Sequence, residues 1–359
     1  MHSIYKIFLI IPTLKQGGAE RVMSQLANQW THEGHEVHIV LLVQSSLFYE
    51  LNEKIILHEL GFLNLGRLRS LISQIKIFFK LRSIFKEENP DFILSFMTKY
   101  NVFTILSSIS LNLRVYVSDR SSPTKKLPTI LNLLRNYLYR YATGIIAQTS
   151  LAKDVLEKTI INKNIKVIPN PIRVIEENSF IPKDKIILNI GRLIPEKGQK
   201  HLIESFSKIK DSSWKLVILG EGPLRRELEK QAESIGIKNK LYMPGSVQNV
   251  DSWIRKASIF AFPSISEGFP NALLEAMSGG LPCVSFDCDS GPKDVIKHGY
   301  NGFLIPVGDI EVFTKTIDIL ISNESLRMEI GSKAIITTSK FSTNYIAEQY
   351  LNFCKPSMS

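Results

Sequence analysis

Two glutamates interrupt a stretch of small and apolar residues at positions 264–284, SISEGFPNALLEAMSGGLPCV. Glu267 follows a predicted strand over 259–261, and Glu275 lies in a predicted helix that Asn271 can cap and two glycines end. Carboxylates accept hydrogen bonds from neighbouring hydroxyl groups, so each glutamate could hold one sugar ring. The alternative is that both glutamates only pair with nearby cations.

Two cations, Arg192 and Lys197, occupy another loop of the same kind, between a predicted strand over 185–189 and a predicted helix. Cations at the carboxyl end of a strand can neutralise a diphosphate and stabilise it as a leaving group. A solvated basic loop would show the same local pattern. The pair therefore favours a diphosphate ligand only in combination with other motifs.

A glycine pair, Gly17 and Gly18, follows the first predicted strand and precedes a predicted helix that begins near Ala19. Glycines allow a ligand to approach the backbone closely, and a helix N-terminus attracts anions, which suits a phosphate or a sugar. A simple strand-to-helix turn explains the pair equally well.

Two further motifs point to other chemistries, and each is weak. Gly220-x-Gly222 follows a strand but lacks the third glycine of a dinucleotide fingerprint, which disfavours a nicotinamide dehydrogenase. Asp287-x-Asp289 has the pattern with which metal-dependent sugar transferases hold a divalent ion. Loop acids and helix-capping acids are common at such a position, so we expect no metal there.

These loops need a scaffold, and short β-rich runs alternate with helical patterns along all 359 residues. Such alternation predicts parallel sheets covered by helices on both faces. The pattern restarts after a proline-containing segment at 168–184, and the length exceeds that of one hydrophobic core. We predict two doubly wound α/β domains whose ligands bind beyond the carboxyl ends of the strands, in a cleft between the domains.

The net charge of +10 is concentrated in the first half, because residues 1–180 contain 22 basic and 14 acidic residues. Segment 61–86 has six basic residues and no acidic one, and its apolar residues recur at helical spacing. Arg69, Lys76 and Lys80 share another face, which is typical of a helix that contacts anionic lipid. A surface helix that packs its apolar side inward is the alternative.

The sequence also predicts a cellular compartment. No segment has the roughly 18 consecutive apolar residues of a membrane-spanning helix. Pro12 ends the first apolar run too early for a signal peptide. Three irregularly spaced cysteines argue against a disulfide framework and against a zinc site, so we expect a cytoplasmic protein.

Taken together, these motifs resemble those of family 4 of the retaining glycosyltransferases, which have the GT-B architecture of two Rossmann-like doubly wound domains facing across a cleft. The resemblance covers nearly the whole chain and rests on five motifs in order: GGAERV (17–22), IPNPI (168–172), GRLIPEKG (191–198), GEGPLRREL (220–228) and the E-x7-E segment PSISEGFPNALLEAMSGGLPCV (263–284). We expect an acceptor-binding domain over 1–175, a nucleotide-sugar-binding domain over 176–340, and a helix over 341–359 that packs back toward the first domain.

The resemblance implies roles for the charged residues. Arg192 and Lys197 would hold the donor diphosphate, and Glu275 would bind the ribose hydroxyls. Glu267 would hold the transferred sugar, and with the two cations it would form the catalytic set. The backbone of the three residues after Glu267 would also contact that sugar: Gly268, Phe269 and Pro270.

On the other domain, the resemblance implies that Gly17 and Gly18 approach donor and acceptor. Many family members carry a histidine in the loop after the central strand of this domain, but here that loop reads LSFMTKYN (94–101), without histidine. A mechanism that depends on this histidine is therefore in doubt. Asp119 and Arg120 of the SDR motif would line the acceptor side, in roles that the resemblance does not specify.

The resulting expectation is a metal-independent, retaining glycosyltransferase on the inner face of the cell membrane. It would transfer a hexose or N-acetylhexosamine from a nucleoside diphosphate sugar, with UDP favoured, to a lipid-linked oligosaccharide in bacterial surface-glycan synthesis of the O-antigen or capsule type. Its partners would be the donor, the acceptor and an anionic membrane surface, and no nucleic acid. The alternatives are a sugar-nucleotide epimerase of related two-domain fold and a non-catalytic lipid- or polyanion-binding protein.

Overall fold

The computed structural model describes residues 3–44, 46–61, 66–173, 175 and 182–356, without the side chains of residues 66–72. The chain divides by its internal contacts into two compact units. Unit 1 comprises Met1–Pro171 and Thr343–Ser359, and unit 2 comprises Ile172–Ser342. The boundaries predicted from the sequence, at 175 and 340, lie within a few residues of these.

Each unit contains one sheet, and every strand pairing in both sheets is parallel. The strand order is β3-β2-β1-β4-β5-β6-β7 in unit 1 and β10-β9-β8-β11-β12-β13 in unit 2. Both orders reverse direction beside the first strand of the unit, as in doubly wound folds. The strands are β1 (Lys6–Ile11), β2 (Glu36–Leu41), β3 (Ile56–Glu59), β4 (Phe92–Phe96), β5 (Val115–Ser118), β6 (Gly144–Ala147), β7 (Ile165–Val167), β8 (Ile186–Ile190), β9 (Lys215–Leu219), β10 (Leu241–Gly245), β11 (Ile259–Phe262), β12 (Cys283–Phe286) and β13 (Phe303–Ile305).

Helices connect the strands and cover the sheets. Among the described residues, no helix combines the length and apolar character that crossing a membrane requires. The helices are α1 (Gly18–His32), α2 (Gly66–Glu88), α3 (Thr98–Ser108), α4 (Thr129–Leu138), α5 (Ser150–Thr159), α6 (Gln199–Ser207), α7 (Arg225–Ser234), α8 (Val250–Lys256), α9 (Asn271–Ser278), α10 (Pro292–Val295), α11 (Ile310–Ser322), α12 (Glu324–Thr338) and α13 (Thr343–Cys354).

The central strands are apolar throughout because both faces of each sheet are buried. In β1, Ile7 and Leu9 point to one core cluster of unit 1, while Phe8 and Ile10 point to the other. Successive side chains of a strand alternate between faces, so a single apolar run supplies both layers. Unit 2 has the same two-sided arrangement.

The last helix, α13, belongs to the core of unit 1 although it follows all of unit 2 in the chain. Ile346, Ala347 and Tyr350 are fully buried in the same cluster as the first strand. The indole N–H of Trp30 in α1 donates a hydrogen bond to the carbonyl oxygen of Ala347 over 3.2 Å. The helix therefore completes one face of the first sheet.

Two histidines belong to a partly buried polar cluster that includes residues of β1, β2 and β3. Nδ1 of His38 lies 2.9 Å from Nε2 of His58, and Nε2 of His38 lies 2.9 Å from a carboxylate oxygen of Glu36. The ammonium of Lys6 lies 3.0 Å from the carboxylates of both Glu36 and Glu88. Burial, followed by the charge of His38, holds the pKa of His58 below its ordinary value.

This cluster predicts a pH-dependent stability. Because the folded pKa of His58 lies below the ordinary value of 6.5, the unfolded chain binds more protons in the window between the two values. The free energy of unfolding should therefore fall as the pH falls from about 7.5 to about 5.5. Chemical denaturation at both pH values should show a smaller fall for His58→Gln than for the wild type. An equal fall in both proteins would contradict the role of His58.

Candidate functional site

An ion pair joins the two motifs of unit 2 that the sequence singled out. The ammonium of Lys197 lies 2.5 Å from Oε1 of Glu267, although the two residues are 70 positions apart. The Glu267 side chain is only 7% exposed, and that of Lys197 is 21% exposed. These two residues therefore pair with each other, as the alternative for the glutamates proposed.

The loop that carries Lys197 packs backbone against backbone on the loop that carries Glu267. Lys197 ends a short 3-10 turn, and Gly198 follows it with a φ of 64°. A Cβ at Gly198 would lie 2.0 Å from the carbonyl oxygen of Pro263. The backbone N–H of Ile265 also donates a hydrogen bond to the carbonyl oxygen of Glu196 over 2.9 Å. Only glycine fits at position 198, and this contact places the two charged residues together.

The glycines of the Gly220-x-Gly222 motif extend the same packing to β9. A Cβ at Gly220, where φ is 143°, would lie 2.0 Å from the carbonyl oxygen of Gly191, and one at Gly222 would lie 2.4 Å from that of Leu193. The N–H of Leu193 donates a hydrogen bond to the carbonyl oxygen of Glu221 over 2.9 Å. The motif therefore supports the cation-bearing loop in this structure by close backbone packing.

Arg192 is exposed next to this packed loop. Its carbonyl oxygen accepts a hydrogen bond from the side chain of Gln199 over 3.0 Å, which fixes its backbone. Its guanidinium makes no ion pair or hydrogen bond with other residues in the described part of the chain. A fixed backbone with an available guanidinium suits the binding of an anion.

Glu275 is 6% exposed and lies in α9, which begins four residues after Glu267. The predicted contact loop between them is also packed: Phe269 and Pro270 are buried, and a Cβ at Gly291 would lie 2.5 Å from the Pro270 ring. Gly268 is half-buried, and its carbonyl oxygen accepts a hydrogen bond from the Ser290 hydroxyl over 3.4 Å. The structure thus places Glu275 in α9 and the other three residues in the loop between β11 and α9.

Cys288 is a neighbour of this region that the sequence did not single out. Its side chain is buried, and its thiol lies 3.7 Å from the carbonyl oxygen of Ser290. Burial, with a further contribution from the negative charge of Glu267, raises the pKa of the Cys288 thiol to about 12. The thiol therefore stays neutral near pH 7 and is a poor nucleophile.

In unit 1, the glycine pair lies where β1 passes into α1. The Tyr49 hydroxyl donates a hydrogen bond to the carbonyl oxygen of Gly17 over 2.8 Å and accepts one from its N–H over 3.1 Å. The Glu20 carboxylate occupies the space in front of Gly17, and burial raises its pKa. Tyr49 therefore fixes the glycine loop, and no motif in the sequence pointed to it. The ligand-binding role of Gly17 and Gly18 stays a prediction.

Asp119 follows β5 and is the centre of a hydrogen-bond network in unit 1. Its Oδ1 accepts hydrogen bonds from Thr98 over 2.8 Å, from Tyr139 over 2.6 Å and from Asn101 over 3.2 Å. Its other oxygen lies 3.7 Å from the guanidinium of Arg135. This network joins β5 to α3 and α4, and the acceptor-side role of Asp119 stays a prediction.

Arg120 joins three distant parts of unit 1. Its guanidinium lies 3.4 Å from the ring centroid of Phe96 and donates hydrogen bonds to Asn170 over 2.6 Å and to the Tyr350 hydroxyl over 2.7 Å. Burial lowers its pKa from the ordinary value, and the contact with Tyr350 opposes that effect. Arg120 therefore ties α13 to the sheet, and its acceptor-side role also stays a prediction.

Two family matches together cover nearly all of the chain. Residues 16–174 match the family described as Glycosyltransferase Family 4, and residues 172–336 match the family described as Glycosyl transferases group 1. A relative from Campylobacter jejuni is 30% identical over 353 residues, which cover 96% of this chain and 97% of the relative. The chain belongs to glycosyltransferase family 4.

The relatives and solved structures agree with this membership. The Campylobacter jejuni relative is a GalNAc-alpha-(1->4)-GalNAc-alpha-(1->3)-diNAcBac-PP-undecaprenol alpha-1,4-N-acetyl-D-galactosaminyltransferase. Anabaena HepE, solved in complex with UDP, has a TM-score of 0.80 at 19% identity over 97% of this chain and 98% of its own. TarM has a TM-score of 0.84 at 16% identity over 99% of both chains. The predicted GT-B fold of Rossmann-like domains is confirmed, and the non-catalytic alternative is wrong.

In this glycosyltransferase, Met97 occupies the loop in which the family histidine is missing. It has a φ of 74° directly after β4, a conformation that costs a non-glycine residue on the order of 1–3 kcal/mol. Its N–H donates to the carbonyl oxygen of Ser118 over 3.0 Å, and its carbonyl oxygen accepts from Tyr100 and Asn101 over 2.9 Å each. Strained residues of this kind concentrate at functional sites, and no pattern in the sequence revealed this one.

The described residues contain one group of side chains with metal-like spacing, and it lies in unit 1, outside the motifs of unit 2 described above. Ligand atoms of Glu36, His38 and Glu88 lie within 4.8 Å of one another, but the ammonium of Lys6 binds both carboxylates. Asp287 and Asp289 are both exposed and do not belong to that group. The metal independence of the glycosyltransferase stays a prediction.

The predicted membrane-facing residues of the glycosyltransferase lie in α2. Lys76 and Lys80 are exposed, as are the apolar neighbours Ile75 and Phe79. The side chain of Arg69 lies outside the described part of the structure. The part of α2 whose side chains are described thus presents cations and apolar side chains together to solvent, as the membrane hypothesis requires.

The close contact at position 198 yields a test of how the site is held. Gly198→Ala should lower the free energy of unfolding by roughly 3 kcal/mol or more, because the new methyl group meets the carbonyl oxygen of Pro263. Gly236→Ala is the matched control, since Gly236 also has a positive φ, of 76°, but has no atom near its missing Cβ. That control should lose only about 1–2 kcal/mol. Equal losses in urea denaturation would contradict the packing argument.

Proposed function

We propose that this family 4 glycosyltransferase transfers a hexose or N-acetylhexosamine from a UDP-sugar to a lipid-linked saccharide, with retention of the anomeric configuration and without a metal ion. The reaction would belong to the synthesis of a bacterial surface glycan. It would take place at the inner face of the cell membrane, where the enzyme is bound peripherally. The observation that carries the proposal is the ion pair between Lys197 and Glu267 beside the available guanidinium of Arg192.

The ion pair sets the charge that an incoming donor meets. A carboxylate alone would repel a diphosphate, but the ammonium of Lys197 neutralises Glu267 over 2.5 Å. Lys197 can then share its remaining N–H donors with the diphosphate while Glu267 accepts hydrogen bonds from the hydroxyls of the transferred sugar. The arrangement therefore suits a ligand that combines a diphosphate with a sugar.

Arg192 and Glu275 would complete donor binding. A guanidinium binds two phosphate oxygens at once. Arg192 is exposed and lies five residues before Lys197 in the same loop. Glu275, buried in α9, would accept hydrogen bonds from the ribose hydroxyls. As negative charge develops on the leaving diphosphate, the two cations would stabilise it more strongly than they stabilise the bound donor, which lowers the barrier.

The relatives support the choice of donor and acceptor classes. Two Campylobacter jejuni relatives are 30% and 26% identical to this chain. Both are named as transferases of N-acetylgalactosamine to saccharides linked to diphospho-undecaprenol. Anabaena HepE was solved with UDP and with UDP-glucose. A lipid-linked acceptor also agrees with the cations and apolar side chains that α2 exposes.

Lys197→Ala should lower kcat/KM by about 30- to 1,000-fold, which corresponds to about 2–4 kcal/mol of transition-state stabilisation. Lys200→Ala is the matched control, because Lys200 lies only three positions after Lys197 and forms an exposed ion pair with Glu227. Its activity should stay within about twofold of the wild type. Since Lys197→Ala leaves a buried carboxylate unpaired, Arg192→Ala provides a second test at an exposed position. Full activity of both variants would contradict the assignment.

Melting temperatures with UDP, GDP, ADP and dTDP, each with and without a chelator, test the donor. A nucleotide at 100 times its Kd adds about 2.7 kcal/mol, which raises the Tm by a few degrees at this chain length. We expect stabilisation by UDP that survives chelation. A shift that chelation abolishes would overturn metal independence, and the absence of a shift with any nucleotide would overturn the donor assignment.

A further inference from the structure

An apolar cavity of about 410 Å³ lies between α2, α3 and α4 of unit 1. Its walls include Ile77 of α2, Phe103 and Leu106 of α3, and Leu131 and Leu134 of α4. The volume falls within the usual range for small-molecule sites. Because the wall is mostly hydrocarbon, the cavity suits an apolar ligand.

The cavity opens beside an apolar stripe that faces solvent. Along α4, Ile130, Leu133, Leu134 and Tyr137 are exposed by 75%, 64%, 41% and 55%, and they recur at the spacing of one helical face. Ile130 and Leu134 also line the cavity. A surface helix normally turns such a stripe inward, so this stripe indicates an apolar partner outside the chain.

One cation lines the cavity, and two more precede α4 in the chain. Lys99 lies in the wall of the cavity, and Lys125 and Lys126, just before α4, are exposed. Residues 92–118 and 120–153, which include all of α3 and α4, contain no acidic residue. A partner with a hydrocarbon part and an anionic part would match both the apolar walls and Lys99.

The cavity lies at the edge of the sheet where ligands of doubly wound folds bind. Its walls include Leu42 and Val43, directly after β2, and Lys99 and Tyr100, shortly after β4. The loop of Gly17, after β1, leaves the sheet at this same edge. A ligand in the cavity can therefore carry a head group toward the part of unit 1 where we expect the acceptor.

We propose that this cavity binds the hydrocarbon chain of the acceptor next to its phosphate, with the phosphate near Lys99. The inference rests on the proposed function, because it takes a lipid-linked acceptor as the substrate. A bilayer acyl chain would suit the exposed outer stripe of α4, but an apolar cavity of about 410 Å³ at the ligand edge of the sheet favours a single substrate chain. The outer stripe would then rest on the membrane from which the chain enters.

Leu106→Trp fills the cavity from its rim, at a residue that is already 36% exposed. The KM for a long-chain prenyl-diphosphate-linked acceptor should rise about tenfold, because the chain loses its apolar contacts. The KM for the donor, and for an acceptor with the same saccharide on a short alkyl chain, should not change. An equal change with both acceptors, or with neither, would overturn the proposal.

Titration with farnesyl phosphate, without any donor, separates this inference from the proposed function. The wild type should bind it, and Leu106→Trp should bind it about tenfold more weakly. If binding behaves in this way but no sugar is transferred, the proposed function fails and the cavity assignment stands. If Leu106→Trp binds farnesyl phosphate like the wild type, the cavity assignment fails. Leu134→Trp provides the same test should Leu106→Trp lower the Tm.

Binding to phosphatidylglycerol vesicles separates the acceptor chain from bulk lipid. Leu133→Asp alters the outer stripe without touching the cavity and should weaken vesicle binding, whereas Leu106→Trp should not. Ile161→Asp is the matched control, because Ile161 is 68% exposed and lies outside both surfaces. Loss of vesicle binding in Leu106→Trp with no effect on farnesyl phosphate would assign the cavity to bilayer lipid instead.

Discussion

Backbone atoms of three loops in unit 2 approach one another so closely that no side chain fits between them. Gly198 packs against the carbonyl oxygen of Pro263, and Gly220 packs against that of Gly191. Lys197 precedes the first of these contacts, and Glu267 lies four residues beyond Pro263. The ion pair on which the proposed chemistry depends is therefore a consequence of backbone packing.

The sequence predicted the alternating scaffold and both parallel sheets, and it singled out the charged residues of the motifs in unit 2, because these are local patterns. It did not predict what Gly220 does. The residue was interpreted as part of an incomplete dinucleotide motif, whereas its contact in the structure is the carbonyl oxygen of Gly191, on the neighbouring strand end. Such contacts depend on strand order, and a periodic pattern along one segment carries no information about the segment beside it.

The residues that sequence reasoning missed share this property. Tyr49 is recognisable only through its two hydrogen bonds to Gly17, 32 positions away, and the partner of Arg120 in α13 is 230 positions away. Met97 is notable for its backbone conformation, which hydrogen bonds to neighbouring elements impose. In each case the side-chain type is ordinary, and its importance arises from tertiary contacts alone.

The position of α13 has a consequence for the order in which this chain folds during its synthesis. The ribosome releases all of unit 2 before Ile346, Ala347 and Tyr350, which complete one core of unit 1, are available. Until then the face of α1 around Trp30 lacks its cover and exposes apolar surface to the cell. Unit 2, which is continuous in the chain, can finish folding first, so a nascent chain stalled before α13 would be a natural target for chaperones.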